Sequence, residues 1–186
     1  ALSNKQRFEI FLDDSEYTIL DYGKPPEDPL SFFDTKKYSE RIKKSKKDTG
    51  EDETMAAASG WLNALPLTVV SMDFRWMGGS VSPRVGECFL MAAEHALKNS
   101  KAFIVFTTSG GMRMQTGNLS LQQMGRMTIA MHELKKKNIP TIVVAGGHVL
   151  GGTTASFASL ADQIYSEDEN YLWGFSGKRI IEQNLR

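Results

Sequence analysis

Apolar residues recur along this chain in two periods, and the alternation between the periods outlines its elements. Residues 102–107 (AFIVFT) and 139–146 (IPTIVVAG) are short, β-branched, nearly all-apolar runs, which predicts buried strands. Between them, Leu121, Met124, Met127, Ile129, Met131 and Leu134 predict a long helix over 119–137 with a broad apolar face. Residues 83–98 have the same helical spacing through Val85, Cys88, Phe89, Ala92, Ala93 and Ala96. Residues 55–76 read as two strands around a turn at 62–66 (LNALP). Residues 151–160 read as the start of a helix of small residues, 161–166 as a strand, 171–177 as a strand and turn, and 178–185 as a helix. Strands alternating with helices predict an α/β fold.

The first 53 residues have a different texture. Residues 6–23 (QRFEIFLDDSEYTILDYG) predict a short helix followed by a strand. The prolines of 24–29 (KPPEDP) block regular structure, 35–47 (TKKYSERIKKSKK) read as a basic helix, and 48–53 (DTGEDE) as an acidic turn. Residues 1–53 are therefore expected to form an N-terminal arm, and 54–186 a single domain. The chain opens at Ala1 and stops at Arg186 just past a helical stretch, so it is expected to be a trimmed or processed form, shortened at its C-terminus.

Composition narrows the possible chemistry. The 186 residues suffice for one sizeable core, and 41% hydrophobic with 24% charged is ordinary for a globular protein. Lys plus Arg and Asp plus Glu are both 22, so bulk attraction to nucleic acid is unsupported. No apolar run reaches the roughly 20 residues that span a bilayer. The single cysteine, Cys88, excludes an internal disulfide and a Cys-only zinc site, which favours a reducing compartment.

Two glycine pairs carry the candidate chemistry. Gly110–Gly111 follows the strand run at 102–107, and Gly151–Gly152 follows the one at 139–146. A strand, a Gly-Gly turn and a helix start together present bare backbone N–H groups and a partial positive charge. Two such turns facing one oxygen make an oxyanion hole. Neither pair has the Gly-Lys-Ser/Thr of a P-loop or the spacing of a dinucleotide fingerprint. Of the three histidines, His132 lies on a charged helix surface and His95 in an alanine-rich helix. His148 sits in the glycine-rich segment before Gly151, within reach of a ligand. No cluster has metal-ligand spacing. The methionines at 124, 127 and 131 read as core.

The segment 147–166 (GHVLGGTTASFASLADQIYS) resembles the oxyanion-hole segment of the crotonase superfamily. More fully, the chain resembles the β-subunit family of bacterial and plastid acetyl-CoA carboxylase carboxyltransferases. The stretches that carry this are 28–42 (DPLSFFDTKKYSERI), 74–87 (FRWMGGSVSPRVGE), 109–124 (SGGMRMQTGNLSLQQM), 151–158 (GGTTASFA) and 173–186 (WGFSGKRIIEQNLR). They occur in the family's order along nearly the whole chain.

The resemblance implies a crotonase-like ββα superhelix for the α/β domain. It implies transfer of a carboxyl group from carboxybiotin, borne on a biotin carboxyl carrier protein, to acetyl-CoA, giving malonyl-CoA for fatty acid synthesis; the alternatives are a related acyl-CoA carboxyltransferase, a malonyl-CoA decarboxylase or a non-catalytic paralogue. It also implies an α-subunit partner in an α2β2 assembly, in the cytoplasm or, for a plant or alga, the plastid stroma. Gly151 and Gly152 match the family's oxyanion-hole glycines, and Gly110 and Gly111 the neighbouring loop. Met77, Gly78 and Gly79 resemble a loop lining the same cleft, or form a tight turn under a helix. Met112 is expected beside the acyl group. Arg113 either holds a CoA phosphate or pairs a carboxylate below the loop. The basic helix either is a solvated face or meets the CoA 3'-phosphate or the partner subunit. The four-cysteine zinc ribbon of many members is absent here, so no metal is expected. Met112, Lys178 and the segment 145–150 (AGGHVL) depart from the family pattern.

Overall fold

A computed structural model describes residues 2–184. Its centre is a mixed seven-stranded sheet: β1 (Tyr17–Ile19), β2 (Met55–Leu62), β3 (Leu65–Met72), β4 (Ala102–Ser109), β5 (Thr141–Leu150), β6 (Gln163–Ser166) and β7 (Trp173–Gly174). The order is β1-β2-β3-β4-β5-β6, and β7 pairs with β5. The first two pairings are antiparallel, and β3 through β6 run parallel. The hairpin at Asn63–Ala64 has both residues at positive φ, matching the twist of its flanking strands. Among the described residues, five α-helices complete the fold: α1 (Asn4–Phe11), α2 (Tyr38–Thr49), α3 (Pro83–Asn99), α4 (Asn118–Lys136) and α5 (Lys178–Asn184). The end of the helix expected over 178–185 lies outside the described residues.

Side chains of the central strands alternate between two cores, which is why their sequences lack an alternating pattern. Val70 and Met72 of β3, Phe103 and Val105 of β4, and Val143 and Ala145 of β5 face one side. There α3 and α4 cover them with Val85, Phe89, Ala92, Met127, Met131 and Leu134. Val69, Ile104 and Phe106 face the other side, where Phe8 of α1 and Leu12, the residue just after it, lie over them. Ser3 caps α1 in a reciprocal box with Gln6. Ser82 caps α3 through the Val85 N–H, with Pro83 in its first turn.

Three expectations need correction. First, β5 does not end at Gly146. It runs through Gly146 and Gly147 to Leu150, exchanging β6 for β7 as its neighbour. The glycines serve close approach, not a turn: a Cβ on Gly147 would lie 2.2 Å from Thr108 Oγ1. Second, residues 151–160 form successive turns and one short 3-10 helix (Phe157–Leu160), not an α-helix. Thr154, Ser156 and Ser159 donate their hydroxyls to the carbonyls of Val149, Gly152 and Thr154, which competes with helix formation. Third, the apolar face of α4 is narrower than its sequence: Leu121 and Ile129 point outward at 53% and 64% exposure.

Candidate active site

Three loops emerge side by side from the carboxyl ends of the parallel strands β3, β4 and β5, where open parallel sheets bind ligands. The first carries Met77, Gly78 and Gly79, the second Gly110, Gly111 and Met112, and the third Gly151 and Gly152. The sheet order alone makes them neighbours. The first and second loops are stitched together directly. Gly110 donates its N–H to the Gly78 carbonyl at 2.9 Å, Val81 to the Gly111 carbonyl at 2.9 Å, and Arg113 to the Val81 carbonyl at 2.8 Å. The second and third loops are in van der Waals contact. Gly111, at φ +114°, has room for a Cβ only at 3.5 Å from the Leu150 carbonyl oxygen and 3.7 Å from the Gly151 Cα and the Gly152 nitrogen. A Cβ on Gly152 would lie 2.8 Å from both Met112 Cγ and Met124 Sδ.

The N–H groups at this junction divide into spent and unspent ones. Gly110 donates to Gly78, Gly111 to Ser109 Oγ at 3.0 Å, and Gly151 to the Gly174 carbonyl at 3.0 Å. Among the described residues, the N–H groups of Met77, Gly78, Met112 and Gly152 have no acceptor, and of these Met112 and Gly152 lie on the second and third loops, which touch. The backbone explains their aim. In a trans peptide the N–H points opposite the preceding carbonyl. The Gly111 carbonyl is turned to Val81 and the Gly151 carbonyl to Ala155, so the next N–H in each loop faces the other way. Neither pair opens an α-helix directly, because short turns intervene, so the available donors are individual peptide groups with little helix dipole behind them.

A cavity of about 390 Å³ lies against the first two loops, lined by Phe74, Met77, Gly78, Gly110, Met112 and Met114. Arg41 sits on its margin, engaged with Asp34. Arg113 contributes to the lining yet is 2% exposed, and its guanidinium forks onto Glu53 at 2.7 and 2.9 Å. It stacks 4.5 Å from the centre of the Trp76 ring. Burial opposes its charge, but Glu53 and Tyr38 outweigh burial and raise its pKa. Of the two roles open to Arg113, the carboxylate-pairing one describes this geometry. His148 lies in β5, and its Nδ1 accepts the Leu172 N–H at 2.9 Å, away from the glycine junction. The basic helix α2 is partly neutralised, with Lys46 between Glu27 and Asp52. Among the described residues, no group of three His, Cys, Asp or Glu is placed to hold a metal, and no helix is long and apolar enough to cross a membrane.

The protein family defined by the carboxyl transferase domain matches residues 28–185. The chain belongs to that family. It is 41% identical over 181 residues to the acetyl-coenzyme A carboxylase carboxyl transferase subunit beta of Phenylobacterium zucineum, covering 97% of this chain and 59% of that relative. The chain thus spans about three-fifths of the length of such a relative. Among solved structures it is similar to transcarboxylase 12S (TM-score 0.75, 23% identity, 97% of this chain and 32% of that one). It is equally similar to the hetero-dimer of Pseudomonas malonate decarboxylase (TM-score 0.75, 21% identity, 99% and 69%). These likenesses show that the chain shares the fold of those two proteins.

In this carboxyl transferase domain the structure brings Met77, Gly78, Gly110, Gly111, Met112, Gly151 and Gly152 to one junction and leaves His148 to one side. Gly79 is buried beneath it, donating to the Trp76 carbonyl. Four participants escape a reading of the sequence. Met124 reaches Gly152 from α4, and Ser109 and Thr153 tie the glycine loops together below the cleft. Glu53, within the acidic turn, anchors Arg113 from 60 positions away. Only Ser109 has a local signal, a hydroxyl immediately before a Gly-Gly turn.

Proposed function

We propose that this chain is the carboxyltransferase β subunit of an acetyl-CoA carboxylase, and that Met112 and Gly152 donate the N–H bonds of its oxyanion hole. The observation that carries the reading is the pair of unspent N–H groups on touching loops. Removing a proton from, or adding carboxyl to, the methyl carbon of a thioester passes through an enolate, whose oxygen gathers negative charge. Fixed N–H donors in a site shielded from water stabilise such an oxygen strongly and need no ionisable side chain. This accounts for a candidate site of glycines and methionines without a Ser/His/Asp set.

Carboxybiotin, arriving on a carrier protein, would supply the activated carboxyl group. The residues present fit an oxygen of either partner, the thioester carbonyl or the biotin ureido carbonyl, because both need donors and neither needs a charged side chain. Met77, Met112 and Met114 give the cavity an apolar, adaptable wall suited to a short acyl group. The name shared by the bacterial relatives supports the substrate, and the hetero-oligomeric decarboxylase neighbour supports a site completed by a second subunit.

The test mixes the full-length protein with a candidate α subunit, malonyl-CoA and free biotin, and follows acetyl-CoA release. Each subunit alone is the control. Release only in the mixture, and only with biotin, is the expected result. Breakdown that needs neither biotin nor α identifies a decarboxylase instead, and no turnover by an assembled complex contradicts the catalytic reading.

A further inference from the structure

Arg113 is among the largest fully buried side chains of the fold, and it directly follows one of the two proposed oxyanion donors. Its five N–H groups are distributed over three separate segments. Nη1 and Nη2 fork onto the Glu53 carboxylate, and Nη1 also reaches Tyr38 Oη of α2 at 3.1 Å. Nη2 reaches Thr54 Oγ1 at 2.9 Å and the Ser80 carbonyl at 2.7 Å, and Nε reaches Ser80 Oγ at 3.0 Å. Glu53 in turn accepts the Ser82 hydroxyl at 3.0 Å. One guanidinium–carboxylate pair therefore holds both sides of Val81. Val81 is the residue whose N–H and carbonyl fix the Gly111 carbonyl and the Arg113 N–H.

We propose that Arg113 and Glu53 are a positioning pair that aims the Met112 N–H into the cleft. The proposal rests on the oxyanion-hole reading above. The chain of cause is short. The pair fixes Ser80 and Ser82, these fix Val81, and Val81 turns the Gly111 carbonyl inward. Planarity of the peptide then turns the Met112 N–H outward. Neither charged group touches substrate. A bidentate fork is suited to this task because it constrains direction as well as distance, which a lysine ammonium does not. Buried pairs are weak devices for stability in themselves. A pair retained beside a reacting loop, with every guanidinium nitrogen engaged, fits a geometric role better.

The experiment uses the full-length protein assembled with its α partner, as Glu53→Gln and Arg113→Lys. Steady-state kinetics and local hydrogen exchange are read on the same samples. A misaimed donor predicts kcat reduced roughly tenfold to a hundredfold, with KM for the acyl thioester nearly unchanged. It also predicts exchange over residues 109–115 faster by about tenfold, with residues 127–134 of α4 unchanged, which marks local rather than global loosening. Exchange over 109–115 at the wild-type rate in both variants overturns the proposal. A loss confined to KM overturns it too. An inactive wild type contradicts the functional reading alone, and the exchange measurement still decides the positioning pair.

Discussion

Thr153 donates its hydroxyl proton to the Ser109 oxygen at 2.8 Å, and both side chains are fully buried. The same Ser109 oxygen accepts the Gly111 N–H. One hydroxyl thus joins the loop after β4 to the loop after β5 at the level where Gly111 meets Gly152. Ser109→Ala leaves the buried Gly111 N–H without an acceptor, which costs about 1–3 kcal/mol. Urea unfolding of the variant should give that loss with an unchanged m-value. Thr153→Val, which removes a donor but no acceptor for the backbone, should cost less.

Cys88 lies at full burial on the inner face of α3 among Val85, Phe89 and Ala92. Burial pushes its thiol pKa well up, with Glu53 adding to the shift, so almost no thiolate exists at neutral pH. A thiol reagent at pH 8 should label the native protein only as fast as the core opens. Labelling at the rate of a free thiol would mean that α3 is not packed as described.

The Asp162 carboxylate accepts both the N–H and the hydroxyl of Thr141, at 2.9 and 2.8 Å, tying the start of β6 to the start of β5. These bonds, the backbone one first, lower its pKa below the ordinary 3.8. A depressed carboxylate stabilises the fold above its unfolded pKa, and that contribution fades as pH falls through the folded value. Asp162→Asn should therefore lower the melting temperature at pH 7. The difference from wild type should shrink as pH falls below about 4. A difference that persists undiminished at pH 2 would assign the effect to something other than this ionisation.

The legible parts of the fold are those where one local signal dominates. The run AFIVF announces β4 because both of its faces are buried, and the spacing from Val85 to Ala96 announces α3 because a single face is. Gly146 and Gly147 mislead because glycine has the same letter in a turn and in a strand that another side chain crowds. Only the position of Thr108 on the neighbouring strand distinguishes the two. The helix expected after Gly152 fails because its hydroxyls find nearby carbonyls. At the site, the glycine pairs are visible in sequence, but which N–H groups remain unspent is not. That depends on Gly78, Ser109 and Gly174, three acceptors supplied by three different elements. The Glu53–Arg113 pairing is likewise invisible to any periodicity, since it is made by a fold that brings the segment before β2 under the loop after β4.

The most direct measurement is the steady-state kinetics of Gly152→Ala in the full-length protein mixed with the candidate α subunit. Gly152 is not among the glycines at positive φ, so alanine suits its backbone. The new methyl presses on Met112 and Met124, whose flexible chains can yield, so the fold should survive while the two donors are displaced. With Gly152 as an oxyanion donor, kcat should fall about a hundredfold or more with KM little changed, the size expected when one such donor is lost. A folded, assembled variant that turns over at the wild-type rate would contradict it.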